Sequence, residues 1–265
     1  MVQLVTRADD AGGCASANEA IREAVEAGAI KNVSIMACGE AIEQAAEFFS
    51  EIEGVCLGLH VTLNAEWDRV KWGPVLSAEE VPSLLEPGLP YFTPTPKALQ
   101  EKGFVIEEAV AEVGAQLARA RSLGLNISYL DEHMGVGWIQ SGGQRLRDAL
   151  AAFCVREGLM DVHTLSLSGI PRAADMPSPP TPDAQTLTED WLQRLSQAPA
   201  GTYLLVTHPG KVAIDMEMFY HEHTGQQPGE VAAERDRERE ALAHTDFVSR
   251  CAAQGTSLLR YDEVR

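Results

Sequence analysis

Two adjacent carboxylates, Asp9 and Asp10, close a short β-prone run and are followed by Gly12 and Gly13. Neighbouring side chains on a regular strand point to opposite faces. The pair can therefore share one site only where the strand stops being regular, and the two glycines are expected to supply that stop. Two carboxylates held together are costly unless a cation or a shared proton relieves them. A helix cap is the competing reading, because a helical pattern begins near Ser16. Three later apolar runs also carry or end in ligand-type residues. His60 lies within residues 55–63, Asp131-Glu132-His133 follows 126–130, and His208-Pro209-Gly210 follows 201–207. One carboxylate with two imidazoles is a usual ligand set for a catalytic divalent metal, with positions left for water. Such a metal lowers the pKa of a bound water and polarises a carbonyl, and a second, non-ligating carboxylate is then a natural general base.

These residues meet only if the runs that carry them are parallel strands of one sheet. Helical spacing over 16–29 precedes a strand-length run at 32–38, helix returns over 41–49, and a strand follows at 55–63. That order indicates β-α-β units. Residues 64–103 break the rhythm with six prolines and the aromatics Trp67, Trp72, Tyr91 and Phe92, and read as a long excursion with little regular structure. Further helices are expected over 106–123, 144–157, 187–196 and, as one charged element, 230–251. Strands are expected at 126–131, 162–167, 201–207 and 257–261, and 171–182 is a proline-rich loop. About seven strands, each followed by helix or loop, fit an α/β fold: a single (β/α) barrel of parallel strands spanning 1–265, a deformed TIM-like barrel. In such a barrel the strands' C-terminal ends share one face, so Asp9-Asp10, His60, His133 and His208 would converge there. The two long loops would cover that face.

Composition narrows the partners. The chain has 265 residues, and 39 acidic against 21 basic residues give a net charge of -18. A surface of that sign repels phosphate backbones and anionic lipid, so neither nucleic acid nor a membrane is an expected partner. No window is long and apolar enough to span a bilayer, and Arg7, Asp9 and Asp10 come too early for a signal peptide. Five cysteines without a C-x-x-C pair read as reduced thiols, which with the preceding points gives a cytoplasmic expectation.

The motifs in their order resemble the YdjC-type carbohydrate deacetylases, the ChbG/HpnK family. Ala8-Asp9-Asp10-x-Gly12 with Asn18 is similar to that family's opening motif, and Gly58-Leu59-His60-Val61-Thr62-Leu63 to its G-L-H-x-T-L. Pro74-Val75-Leu76 and Val81-Pro82-Ser83-Leu84 resemble its post-strand loop. Asp131-Glu132-His133 matches the start of its D-x-H, His208-Pro209-Gly210 its H-P-G, and Arg237 with Glu240 its R-x-x-E. The resemblance implies a barrel that hydrolyses the N-acetyl group of an amino sugar or acetylated oligosaccharide. It implies one divalent metal ion, magnesium or zinc, held by Asp10, His60 and His133. Asp9 would be the base that activates water and His208 the general acid. Two positions depart from the family pattern: Ala11 stands where Phe is usual, and Gly135 where a second histidine completes D-x-H-x-H.

Trp67, Trp72 and Trp138 follow the ligand-bearing strands and are candidates to stack on a sugar ring. His221-Glu222-His223 reads as part of a polar loop. Two alternatives remain at this level: a barrel that binds carbohydrate or regulates without catalysis, and a non-haem iron oxygenase, whose ligands more often sit on all-β frames. A small-molecule carbohydrate is the expected partner, and a homodimer is a candidate assembly.

Overall fold

The computed structural model describes residues 1–170 and 183–264. The strands, in chain order, are β1 (Val2–Ala11), β2 (Asn32–Ile35), β3 (Cys56–Val61), β4 (Ile127–Glu132), β5 (Gln140–Ser141), β6 (Gln144–Arg145), β7 (Met160–Asp161), β8 (Ser168–Gly169), β9 (Gly201–Thr207) and β10 (Thr256–Leu259). β5 and β6 form a separate antiparallel hairpin. The other eight make one parallel sheet in the order β7-β4-β3-β2-β1-β9-β8, with β10 added beside β1. The sheet curls into an open, deformed α/β barrel, as expected from the alternation of runs in the sequence.

The long central strand β1 forks the sheet. Its first half pairs with β10 (Val2–Val5 against Thr256–Leu259) and its second half with β2 on the same side. The fully buried Asn32 fills the fork. Its amide donates to Thr6 O and Leu259 O at 2.9 and 3.1 Å, and its Oδ1 accepts the Tyr261 N–H at 2.8 Å. A buried amide with every polar atom used pins the register of three strands.

Period-2 alternation sorts the side chains. Leu4 and Ala8 of β1 with Leu57 and Leu59 of β3 face the outer core, where helices α1 (Ala15–Glu26), α2 (Ile42–Phe49) and α4 (Ile106–Ser122) pack. The inner face carries Val5, Cys56 and Tyr129 low in the barrel, with Arg7, Asp9, His60 and Asp131 above them. Gly58 is obligatory in the inner column, since a Cβ there would overlap the Tyr129 ring. All five cysteines are free thiols, and burial pushes those of Cys14, Cys38 and Cys251 up to about 12, which makes them inert.

Several sequence expectations need correction. The strand expected at 162–167 is a single turn of 3-10 helix, Val162–Thr164, because the Asp161 carboxylate accepts the His163 N–H at 3.0 Å and starts a turn. Strand pairing survives only on its flanks, as β7 and β8, and these are the two edges of the sheet. The excursion 64–103 contains a helix, α3 (Pro96–Lys102), started by Thr95, whose hydroxyl accepts from Ala98 N, and by Pro96 at the first position. The charged helix is two helices, α8 (Glu230–Ala243) and α9 (Phe247–Ala253). Between them the Thr245 hydroxyl takes the Phe247 N–H at 3.2 Å and ends the helical ladder. The remaining helices are α5 (Leu146–Glu157), α6 (Ala184–Gln197) and α7 (Ile214–Glu217). The loop 171–182 lies outside the described residues. No helix among the described residues is long and apolar enough to cross a membrane.

Candidate metal centre and active site

The irregularity that joins Asp9 and Asp10 is a β-bulge. In the β1–β2 ladder Ala8 lies opposite Val33 and Ala11 opposite Ile35, so three steps on β1 match two on β2. The extra residue is accommodated at Asp10 itself, which adopts φ 67°, a left-handed conformation that aspartate tolerates better than most residues. The stop thus comes two residues before the glycine pair. Gly12, at φ 95°, completes the turn, and its N–H donates to Asn18 Oδ1 at 2.6 Å. The Asn18 amide in turn bonds Ala41 O and Gln44, both at 2.9 Å. The helix-cap reading fails: α1 begins after Cys14, and neither aspartate caps it.

Around this bulge Asp10, His60 and His133 form one buried group. Asp10 Oδ1 lies 3.6 Å from His60 Nε2 and 3.4 Å from His133 Nδ1, and the two imidazole nitrogens are 3.3 Å apart. Donors about 2.0–2.2 Å from one ion at near-tetrahedral angles stand roughly 3.3–3.6 Å apart, so the three fit a single divalent ion. Asp10 Oδ1 is buried and has no hydrogen-bond partner among the described residues. A lone carboxylate oxygen left bare between two imidazole nitrogens is what a cation would complete. A second group of donors, Asp9, His60 and Asp131, also clusters, but Arg7 already occupies it. Its guanidinium bonds Asp9 at 2.6 and 2.7 Å and Asp131 at 2.7 Å.

Each candidate ligand is oriented from behind. Asp131, opposite His60 in the β3–β4 register, holds His60 Nδ1 at 2.9 Å. Glu66 holds His133 Nε2 at 3.0 Å, and Asn64 steadies Glu66 at 3.1 Å. Arg235, from α8, takes Asp10 Oδ2 at 2.8 Å. Carboxylates behind ligating imidazoles fix the tautomer and raise ligand basicity. Burial disfavours charge on Asp10, Asp131, His60 and His133, and their partners overrule it. Arg235 holds Asp10 well below the usual carboxylate range, Arg7 holds Asp131 down, Asp131 raises His60, and Glu66 pushes His133 up to about 10.

Asp9 and His208 are neighbours across the β1–β9 seam. Ala8 pairs with Thr207, and one step further His208 Nε2 lies 4.0 Å from Asp9 Oδ2. His208 is half exposed, and its backbone N–H donates to Glu238 at 2.5 Å. A cavity of about 270 Å³ brings together the three candidate ligands with Asp9, Glu66 and His208.

The family model of YdjC-like proteins matches residues 3–253. The chain belongs to the YdjC-like family. Two curated relatives are carbohydrate deacetylases. The one from Mus musculus is 33% identical over 161 residues, 58% of this chain and 49% of its own length. The one from Thermoanaerobacter pseudethanolicus is 26% identical over 133 residues, 50% of each chain. The matches thus span about half of each relative. Among solved structures, a proposed cellobiose-phosphate cleavage protein from Enterococcus faecalis V583 superposes with a TM-score of 0.73 at 19% identity, over 98% of this chain and 97% of its own, which supports the fold.

This YdjC-like chain places the three tryptophans differently from one another. Trp67 lines the ligand cavity and stacks on His221 with centroids 4.6 Å apart. Trp72 is 1% exposed and packs nearly perpendicular to the His133 ring, centroids 5.6 Å apart, so it belongs to the cage wall and has no face free for a sugar. Trp138 is 56% exposed on the turn after β4 and lies outside the ligand cavity. Gly135, at φ 60°, has nothing within 4 Å of a would-be Cβ, so the place of the family's second histidine is open space. The R-x-x-E pattern that meets the site is Arg235 with Glu238, two residues before the pair read from the sequence. Sequence reasoning does not single out Glu66, Arg7 or Arg235. Asn64-x-Glu66, so soon after His60, was the available signal for the first.

Proposed function

We propose that this protein is a metal-dependent hydrolase that removes the N-acetyl group of an amino sugar or acetylated oligosaccharide. The observation that carries the reading is the bare Asp10 Oδ1 between His60 Nε2 and His133 Nδ1, with a second aspartate and a histidine beside them. Asp10, His60 and His133 hold the ion, with two nitrogen donors favouring zinc over magnesium. When bound, a divalent ion supplies a water of lowered pKa and polarises the amide carbonyl.

The chain's own groups do the proton work. Asp9 accepts the proton of the attacking water. Its grip by Arg7 fixes the carboxylate in the inner face of the barrel and stops it turning toward the cage as a fourth ligand. His208, 4.0 Å from Asp9 and lining the same cavity as the cage, hands a proton to the departing amine, without which a poor leaving group stalls. Glu238 holds the His208 backbone so that the imidazole stays over Asp9. Residues 64–103 leave the C-terminal end of β3, carry Glu66 into the cage and line a cavity of about 670 Å³ that joins it, which supports their role in choosing the substrate. The oxygenase alternative expects an all-β frame, and the parallel α/β sheet argues against it.

The test is metal content measured beside acetate release from a panel of N-acetylated amino sugars and oligosaccharides. One ion per cage and acetate from at least one sugar support the reading. A loaded cage that releases acetate from none of them refutes it.

A further inference from the structure

A second set of metal-type donors lies outside the cage. Asp68, in the segment after β3, meets His221 and His223, in the segment between α7 and α8. One donor atom of each lies within 4.8 Å of the other two. His221 Nδ1 is buried and has no hydrogen-bond partner among the described residues. Trp67 stacks on the same ring at an interplanar angle of 19°, which fixes its plane. The His223 ring meets the His221 ring at 5.4 Å. Asp68 is held at its backbone, where its N–H donates to Tyr220 O at 3.3 Å, and its Oδ2 accepts the Glu222 N–H at 2.5 Å. A carboxylate keeps further lone pairs after one such bond. Two nearby cations are committed elsewhere: Arg69 to Glu222 at 2.5 Å and to the Tyr220 hydroxyl at 3.1 Å, and Lys71 to Ala65 O at 3.0 Å.

We propose that Asp68, His221 and His223 form a second cation site, which takes a borderline transition metal such as zinc and rejects magnesium. Two imidazoles and one carboxylate suit zinc, whereas magnesium prefers an all-oxygen set. The exposed position leaves the remaining coordination to water, and the chain's strong negative charge draws cations to it. An ion here ties residues 64–103 to the segment before α8 across the wall of the 670 Å³ cavity, which shares Glu66, Met134 and His221 with the cage cavity. Its role is to order the entrance to the cage. The site does not depend on the deacetylase reading.

The experiment is equilibrium dialysis of the full chain against zinc, with bound metal quantified, for the wild type, His223→Ala, Asp68→Ala and Asp10→Ala. The expected result is one zinc equivalent fewer than wild type in His223→Ala and in Asp68→Ala. Asp10→Ala should lose the cage ion and keep the outer one. Dialysis against magnesium should show no difference between wild type and the two outer-site variants. Both outer residues are exposed, and circular dichroism checks that the variants fold. Zinc stoichiometry unchanged in folded His223→Ala and Asp68→Ala would overturn the proposal.

Discussion

Asp10 and Arg235 are 225 positions apart in the chain and 2.8 Å apart in the fold. The guanidinium takes one carboxylate oxygen and leaves the other bare toward His60 and His133. The same contact anchors α8 against the end of β1. That helix packs through Val231, Ala232, Ala241 and Leu242 and is charged on most of its remaining surface. Arg235 to Asp10 and Arg239 to Glu23, both at 2.8 Å, add fixed points of attachment to β1 and α1. Arg235 therefore shapes the cage and the scaffold with one side chain.

The cage should fail in graded steps. His60→Ala is expected to lose the cage ion and activity together while the fold persists. Glu66→Gln should keep the metal at high concentration but bind it roughly 10–100-fold more weakly, the usual cost of losing a carboxylate behind a ligating imidazole. Metal titration of both variants checks this, and wild-type affinity in Glu66→Gln would show that the His133–Glu66 contact is not part of the cage.

Asp9→Asn separates binding from proton transfer. It is expected to retain metal and lose roughly 10²–10⁴ in kcat, the contribution usual for a general base. Near wild-type turnover, with metal bound, would place the base elsewhere.

His208→Ala should hurt most where the leaving amine is most basic. A series of N-acetylated substrates of graded amine pKa would show a steeper dependence of rate on amine basicity than in wild type. Equal slopes would remove His208 from that role.

Glu23 gives a pH prediction away from the site. Burial opposes its charge, but bonds to Lys211, Arg239 and His244 together outweigh it and lower it to about 2. A carboxyl depressed in the folded state stabilises above its unfolded value, near 4.5, and that stabilisation is lost as pH falls toward 2. Solvent screening limits it to on the order of 1 kcal/mol. Glu23→Gln should therefore lower Tm at pH 7 and leave it unchanged near pH 2, as measured by calorimetry. A Tm drop of the same size at both pH values would contradict the assignment.

The cage was legible because its ligands are chemically conspicuous at strand ends: a doubled aspartate, a histidine in an apolar run, and Asp131-Glu132-His133. Its supports were not. Arg7 reads as an ordinary strand charge, and Arg235 is one of several basic residues in a helix whose charges look solvated on every side. Which pair of the charged helix meets the site depends on how α8 is rotated, and sequence spacing alone does not set that. The two-residue edge strands β7 and β8 are too short to show alternation. Six prolines in 64–103 suggested breakage, yet Thr95-Pro96 is a helix start, since proline at a first position loses no bond.

Metal-dependent deacetylation at the cage is tested most directly by acetate release under metal control. The protein is stripped with chelator, reloaded with zinc or magnesium, and assayed for acetate and free amine on N-acetylated amino sugars, alongside Asp10→Ala. The expected result is equimolar acetate and amine from the reloaded wild type, none from the stripped protein, and none from reloaded Asp10→Ala. Full activity in the stripped protein or in Asp10→Ala would rule out a catalytic metal at Asp10, His60 and His133.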